Sequence, residues 1–137
     1  MNKDEIQNII CSEGYIKLWK HKGLYCLILR LPDLLILNGY VGVTKENKLY
    51  GVHYDNVGFN VHGGLTFSDI WEWFQLEDVW WFGFDTAHGG DLIPQRITDP
   101  IFAKIYSNSN MQRIYRDMEY VTKEVNSLAK QIKETKQ

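Results

Sequence analysis

The stretches LYCLILR, residues 24–30, and VWWFGF, residues 79–84, decide the fold class of this chain. Both are almost entirely apolar, which is typical of strands that are buried on both faces of a sheet. A third apolar run covers residues 34–43 and is interrupted by Asn38-Gly39, where the glycine predicts a bulge or a close approach of the backbone. We therefore expect a sheet built from these three runs, with mostly antiparallel strands.

The clearest helix is expected at the C-terminus. Its apolar residues recur at steps of four and three, which is the spacing of one helical face. These residues are Ile114, Met118, Val121, Val125, Leu128 and Ile132. The spacing predicts a helix over about residues 111–133, with Asn110 as its N-cap. The apolar face either covers the sheet of the same chain or, because the spacing is also that of a heptad repeat, pairs with a second subunit.

The other segments predict smaller elements. A short helix over residues 3–12 ends near Gly14, and a hairpin follows, with strands 15–21 and 24–30 joined at Lys22-Gly23. Two or three short strands lie within residues 49–67, and a short helix over residues 69–75 is capped by Ser68. Residues 92–110 are expected to be irregular. The whole prediction is one α+β domain over residues 1–137. Its parts are an N-terminal helix or arm (1–14), a sheet with its loops (15–110) and the C-terminal helix (111–137).

Composition excludes several classes of protein. The chain has 137 residues, 45% of them hydrophobic, which suits a single globular domain. A net charge of -2 gives no bulk electrostatic reason to bind nucleic acid, and no apolar run is long enough to span a bilayer. The first residues lack the order of a secretion signal, and Cys11 and Cys26 are too few for a disulfide framework. We expect a cytoplasmic protein with both cysteines as inert thiols in the core.

Two His-Gly-Gly loops are the main candidates for a site. One is VHGGL, residues 61–65, and the other is AHGGD, residues 87–91. Paired glycines at Gly63-Gly64 and Gly89-Gly90 either form nests of N–H groups that hold an anion or are simply turns.

The second loop also brings three polar side chains, Asp85, His88 and Asp91, at a spacing of three. They suit a divalent metal, a general base with an orienting carboxylate, or contact with an organic ligand. Alternatively the two carboxylates cap backbone N–H groups of the turn. His62 joins this set if the two loops are neighbours.

Aromatic residues and arginines complete the candidate site. Trp80, Phe82 and Phe84 are expected on one face of their strand and Trp81 on the other, where it stacks on a ligand or belongs to the core. Two arginines at the start of the predicted C-terminal helix either pair with phosphate or lie on a solvated face. Residues 67–100 carry seven acidic residues and one basic residue, an excess that repels phosphate. The predicted ligand-binding residues are His62, Gly63, Gly64, Trp81, Asp85, His88, Gly89, Gly90, Asp91, Arg113 and Arg116.

Three blocks carry a resemblance to a family of small phage and prophage proteins. They are GYVGV, VHGGLTF and WWFGFDTAHGGD, residues 39–43, 61–67 and 80–91, and the resemblance extends over roughly residues 24–132. It implies a virus-encoded protein that acts in the cytoplasm of a bacterial host. Small accessory phage proteins often antagonise host defence, and some of them bind or cleave nucleotide messengers.

The expected function is therefore that of a small homo-oligomer without a cofactor that sequesters a host nucleotide-derived immune signal. One alternative is a metal-dependent hydrolase acting on a nucleotide-like phosphate ester, with His88, Asp85 and His62 as catalytic residues and Asp85, His88 and Asp91 as metal ligands. The other is a protein that blocks a host defence protein through exposed aromatic anchors.

Overall fold

A computed structural model describes residues 1–72, 75–107 and 112–135 of the chain. The helices are α1 (Lys3–Glu13), α2 (Pro94–Thr98), α3 (Pro100–Ser107) and α4 (Met118–Glu134), and the strands are β1 (Ile16–His21), β2 (Leu24–Arg30), β3 (Leu37–Val43), β4 (Phe67–Ile70) and β5 (Trp80–Phe84). Within the described residues the strands form one five-stranded sheet in the order β1-β2-β3-β5-β4. All four pairings are antiparallel, so the predicted α+β class is confirmed.

The hairpin of β1 and β2 closes through Lys22 and Gly23, whose φ angles are 53° and 79°. Two consecutive positive φ angles are typical of a two-residue hairpin turn that matches the twist of the strands. The register pairs His21 with Leu24 and Ile16 with Leu29, as the predicted hairpin requires.

Helix α4 covers one face of the sheet. Its residues Val121, Val125, Leu128 and Ile132 are fully buried, and the helix packs on β3, β2 and β1 of the same chain. Because this stripe is already buried, it is not available as a coiled-coil seam, and the interpretation that pairs it with a second subunit is wrong. A Cβ at Gly39 would lie 2.6 Å from both the Phe84 ring and Val125. The predicted close approach at this glycine is therefore confirmed.

The helix starts later than the sequence predicts. Asp117 is its N-cap, with the carboxylate accepting a hydrogen bond from the N–H of Tyr120. Residues 112–117 lie outside the helix, and Ile114 forms a parallel bridge with Asp91. The predicted helical start at residue 111 and the N-cap at Asn110 lie outside the described residues, but the helical assignment of 112–117 is wrong.

The start of α4 is also held by a buried ion pair. The Arg30 side chain is fully buried and bonds to Glu13 at 2.9 Å and to the Tyr115 hydroxyl at 3.0 Å. The second carboxylate oxygen of Glu13 accepts the N–H of Met118 at 2.7 Å. This network joins α1, β2 and the segment that precedes α4.

The opposite face of the sheet carries a smaller core of Leu27, Tyr40, Val79 and Trp81. Phe82 and Phe84 belong to the core under α4, and Trp80 packs against it. The predicted alternation of the aromatic residues in β5 is therefore confirmed.

Several smaller predictions are wrong. Asp69 and Ile70, predicted as the start of a helix, belong to the edge strand β4, and Ser68 accepts the N–H of Tyr54 instead of capping a helix. Two of the aromatic residues assigned to that helix, at positions 73 and 74, lie outside the described residues. Residues 49–66 contain a 3-10 turn at Tyr54–Asn56 and no strand. β3 begins at Leu37 rather than at residue 34, because the chain is still turning at Leu35, which has a φ of 64°.

The region after β5 is more ordered than predicted. Pro94 and Pro100 begin the helices α2 and α3 instead of interrupting the chain. Proline favours the first turn of a helix, where its missing N–H costs nothing. Residues 108–110 of the predicted irregular segment lie outside the described residues. The cysteines also differ from each other: Cys26 is buried, and burial raises the pKa of its thiol to about 12, whereas Cys11 is exposed rather than part of the core.

Candidate functional site

The two His-Gly-Gly loops meet at one end of the sheet. The loop 61–65 leads into β4 and the loop 87–91 leaves β5, and these strands pair antiparallel with Phe67 opposite Gly83. The start of one strand therefore lies beside the end of the other. The rings of His62 and His88 are 5.7 Å apart, so the two loops are neighbours and His62 joins the set of the second loop.

A buried carboxylate, Asp91, lies at the centre of the site. Its side chain is 1% exposed and accepts hydrogen bonds from Nε2 of His62 at 2.8 Å, from Nε of Arg116 at 2.8 Å and from the N–H of His88 at 3.0 Å. The Nδ1 atom of His62 is 2.8 Å from the hydroxyl of Tyr120. We call His62, Asp91, Arg116 and Tyr120 the His62 network.

The hydrogen-bond partners fix the roles of the two ring nitrogens of His62. An ionised carboxylate can only accept hydrogen bonds, so Nε2 of His62 carries the hydrogen that it shares with Asp91. In the neutral ring Nδ1 then accepts a hydrogen bond from the Tyr120 hydroxyl. Both nitrogens of His62 are therefore engaged within the protein.

The backbone brings Arg116 to this carboxylate. The N–H of Leu92 donates to the carbonyl of Ile114 and the N–H of Ile114 donates to that of Gly90, both at 2.9 Å. These two hydrogen bonds hold the extended residues 112–117 alongside the end of the second His-Gly-Gly loop. Arg116, two residues beyond the bridge, reaches Asp91 from the same side of the segment as Ile114.

The network changes the acidity of its members. Burial would raise the pKa of Asp91, but the hydrogen bonds from His62, Arg116 and the His88 N–H outweigh it and lower the pKa below its usual value. The pKa of Tyr120 is raised, first by burial and then by the negative charge of Glu124. Both directions favour a structure in which Asp91 is ionised and Tyr120 keeps its proton.

A second histidine–carboxylate pair lies beside the network and is more exposed. Nε2 of His88 is 3.2 Å from Oδ1 of Asp85, without the angle of a hydrogen bond, and the two side chains are 35% and 29% exposed. The Asp85 oxygens instead accept the N–H of Ala87 at 3.0 Å and the hydroxyl of Thr66 at 3.2 Å. Asp85 and Asp91 thus cap backbone N–H groups of their loop, as one of the alternatives predicts.

The two glycine pairs differ. Gly63 and Gly64 have φ angles of 68° and 81°, and a Cβ at Gly63 would lie 2.0 Å from Nε2 of His88. Glycine at position 63 is therefore required both by the turn and by the ring packed on it. Gly89 and Gly90 do not have positive φ angles, so the prediction of a second nest is wrong.

The predicted metal ligands Asp85, His88 and Asp91 do not form a metal site. Among the residues that the structure describes, no three His, Cys, Asp or Glu side chains are grouped so that they would hold a metal ion. Both oxygens of Asp91 accept hydrogen bonds from other protein groups, which directs them away from a shared ion with Asp85 and His88. The metal-dependent hydrolase is therefore not supported by these residues.

The structure does not bring all the predicted ligand-binding residues together. Trp81 is fully buried in the smaller core and its indole N–H donates to the carbonyl of Trp71 at 3.0 Å, so it cannot stack on a ligand. Arg113 and Arg116 would share a face of a helix, but they are three residues apart in an extended segment. They therefore lie on opposite sides, with Arg116 on Asp91 and Arg113 over the ring of Tyr106 at 4.1 Å.

Sequence reasoning missed one member of the network. Tyr120 precedes the buried Val121 on α4, and its hydroxyl reaches His62 across 58 positions of the sequence. No local pattern marks it. Arg116 stacks 4.9 Å from the centre of its ring, and both side chains line a surface cavity of about 360 Å³. The charged residues that share this lining are the cation Lys123 and the carboxylates Asp117 and Glu119.

Comparisons with models of protein families, with curated proteins and with solved structures found no match. Across residues 1–72, 75–107 and 112–135, no helix has the length and apolar character needed to cross a membrane.

Proposed function

We propose that this chain binds a small anionic, nucleotide-like molecule at the surface formed by the His62 network and the His88–Asp85 pair. One observation carries the proposal. Arg116 is fixed by a buried carboxylate and stacked on Tyr120, and both side chains open onto a cavity of about 360 Å³.

The arrangement of Arg116 suits a phosphate group. Its bond to Asp91 uses Nε, which leaves the two terminal nitrogens to donate to a phosphate in the bidentate manner that arginine favours. A guanidinium held in place before the ligand arrives loses less conformational entropy on binding. The Tyr120 ring beside it offers a flat surface for a base or a sugar.

The energetic cost of the network also supports a functional role. A buried ion pair contributes little to stability relative to apolar packing, because both charges lose their hydration. Clusters of buried titratable groups with shifted pKa values are concentrated at functional sites. In the His62 network the buried Asp91 has a lowered pKa and the partly buried Tyr120 a raised one.

The same geometry favours binding over hydrolysis. General acid–base cleavage needs one group to take a proton and another to give one. His62 uses both ring nitrogens inside the protein, so His88 is the one histidine of the pair left for a ligand. The His88 side chain is 35% exposed although its Nε2 is buried against Gly63, and a single partly exposed imidazole beside a fixed arginine suits recognition of a phosphate.

The biological setting belongs to the same proposal. The resemblance to small phage and prophage proteins supports a role in the cytoplasm of a bacterial host, where the ligand is a nucleotide-derived immune signal and binding sequesters it. A homo-oligomer is also proposed. Its support is the exposed apolar surface of α3, where Ile101, Phe102 and Ile105 are 74%, 40% and 59% exposed.

Isothermal titration calorimetry against adenosine and guanosine monophosphates, cyclic mononucleotides and cyclic dinucleotides tests this proposal. We expect at least one to bind the purified protein. Arg116→Gln should weaken that binding by about tenfold or more, because a charge-assisted hydrogen bond contributes about 1.5–3 kcal/mol. His88→Ala should also weaken it, with less effect on the melting temperature.

Two matched controls exist in the chain. His53 lies 3.7 Å from Asp55 in an exposed histidine–carboxylate pair, and Arg96 stacks on an aromatic ring as Arg116 does. His53→Ala and Arg96→Gln should leave the affinity unchanged. The proposal is wrong if the wild-type protein binds none of these nucleotides, or if the control variants weaken binding as much as Arg116→Gln does.

A further inference from the structure

A second cavity lies on the other side of the extended residues 112–117. Its volume is about 470 Å³, and its lining includes Lys3, Leu92, Ile97, Ala103, Tyr106 and Arg113. None of the four residues of the His62 network belongs to this lining. The cavity is therefore distinct from the site proposed above.

The alternation of the extended segment places Arg113 here. In an extended chain, side chains at odd and even positions point to opposite sides, so Arg113 and Tyr115 face α1 while Arg116 faces Asp91. The guanidinium of Arg113 is 4.1 Å from the centre of the Tyr106 ring. This stack fixes the plane of the guanidinium at the cavity wall.

The charge of the cavity is opposite to that of the chain as a whole. The net charge of the protein is -2, yet the described lining carries the two cations Lys3 and Arg113 and no carboxylate. A concave site with charges of one sign concentrates ligands of the other sign. The polar end of a ligand for this cavity is therefore an anion.

The remaining wall is apolar except for Asn2. Leu92 follows the second His-Gly-Gly loop, Ile97 comes from α2 and Ala103 from α3, and the Tyr106 ring continues this surface. Pockets with a mostly apolar wall and a few polar groups in fixed positions are typical of small-molecule sites. The apolar end of the ligand is expected to be flat, because an aromatic ring and a stacked guanidinium bound that part of the cavity.

We propose that this cavity is a second binding site, which takes a small molecule that carries one phosphate on an aromatic ring. Arg113 and Lys3 hold the phosphate, and the ring of the ligand lies against Tyr106 and the apolar wall. This site is independent of the nucleotide-like ligand proposed for the His62 network, and neither proposal requires the other.

Two-dimensional ¹H–¹⁵N NMR of the full chain tests the inference, with phenyl phosphate as the probe and with inorganic phosphate and phenol as its separate halves. Ala103 lines this cavity and Ala87 lies in the second His-Gly-Gly loop, so their amide signals report the two sites separately. Phenyl phosphate should shift the Ala103 signal saturably and leave that of Ala87 in place. Each half alone should bind at least about tenfold more weakly, since a phosphate–arginine pair and a stacked ring each contribute on the order of tenfold.

Two variants extend the test. Arg113→Met should weaken phenyl phosphate binding by about tenfold, whereas Arg96→Met, which removes another stacked arginine, should not change it. The inference is overturned if phenyl phosphate shifts Ala87 rather than Ala103, if inorganic phosphate binds as tightly as phenyl phosphate, or if both variants weaken binding equally. The first two of these results are measured on the wild-type protein alone, so they test the inference even if a variant does not fold.

Discussion

Replacement of Asp91 by asparagine should destabilise the protein strongly, because this side chain accepts three hydrogen bonds while only 1% exposed. Asparagine has nearly the same shape but offers one acceptor oxygen, and its amide group presents hydrogens to a donor. The substitution therefore leaves at least one of three donors, His62, Arg116 or the N–H of His88, without an acceptor. It also removes the charge that compensates the guanidinium of Arg116.

The magnitude follows from the burial of the partners. Removal of one partner of a buried ion pair costs about 3–5 kcal/mol. The Arg116 side chain is 20% exposed and can regain part of its hydration from water. We therefore expect the lower end, about 3 kcal/mol, which for a chain of this size lowers the melting temperature by roughly 12 °C.

Thermal melts followed by circular dichroism measure this loss, and Asp85→Asn is the matched control in the same loop. Asp85 is 29% exposed and caps the N–H of Ala87, so its replacement should cost about 1 kcal/mol or less. If Asp91→Asn melts within about 4 °C of the wild type, the three hydrogen bonds do not hold the loop and the reasoning fails.

The loss should also depend on pH. Folding lowers the pKa of Asp91, so its carboxylate stabilises the protein fully above the pKa of the unfolded chain, which is about 3.9 for aspartate. This contribution is lost as the pH falls through the lower pKa of the folded state. Urea unfolding should therefore show the full difference between wild type and Asp91→Asn at pH 7 and a shrinking difference below about pH 4.

Two further substitutions test the packing. Gly63→Ala should cost about 1–2 kcal/mol and displace the ring of His88, because the new Cβ would lie 2.0 Å from that ring at a φ of 68°. The control Gly58→Ala has open space around it and should leave the melting temperature nearly unchanged. Val125→Asp should destabilise the fold by more than about 3 kcal/mol, since it buries a charge under α4, and the exposed Ser127→Asp should not. A melt of Val125→Asp that matches the wild type would contradict the packing of α4 on its own sheet.

The sequence predicts the centre of the fold because the signals there are local. The run Leu24–Arg30 is apolar over its whole length, and it becomes β2 with the predicted bounds. Gly39 interrupts another apolar run, and its missing side chain leaves the space that Phe84 and Val125 fill. In both cases the residue types in the sequence predict which positions are buried in the structure.

The errors arise where a distant segment decides the local structure. Ile114 has the right spacing to continue the apolar stripe of α4, yet it is 56% exposed and pairs with residues 90–92. Residues 69–75 have the apolar spacing of a helix, but Asp69 and Ile70 belong to the edge strand β4 beside β5. Apolar spacing does not report such pairings, because their partners lie far away in the sequence.

In the candidate site, too, local motifs could be predicted and long-range contacts could not. The two His-Gly-Gly motifs were predicted to meet because polar side chains follow the most apolar strand. The physical cause of their proximity is the pairing of β4 with β5, and the second half of β4 was predicted as part of a helix. The partners Asp91 and His62 come from these motifs. Tyr120 comes from a helix far along the chain and carries no local signal.

The point at which α4 begins decides whether Arg113 and Arg116 lie on the same side of the chain. If the helix began at residue 111, Arg113 and Arg116 would lie one turn apart on one face and would serve a single anion. Asp117 caps the helix instead, and Glu13 accepts the N–H of Met118, so the preceding residues stay extended. An extended segment directs its arginines to opposite sides, one toward the carboxylate of the His62 network and the other toward the cavity beside α1. Both proposed anion sites therefore depend on where this helix starts.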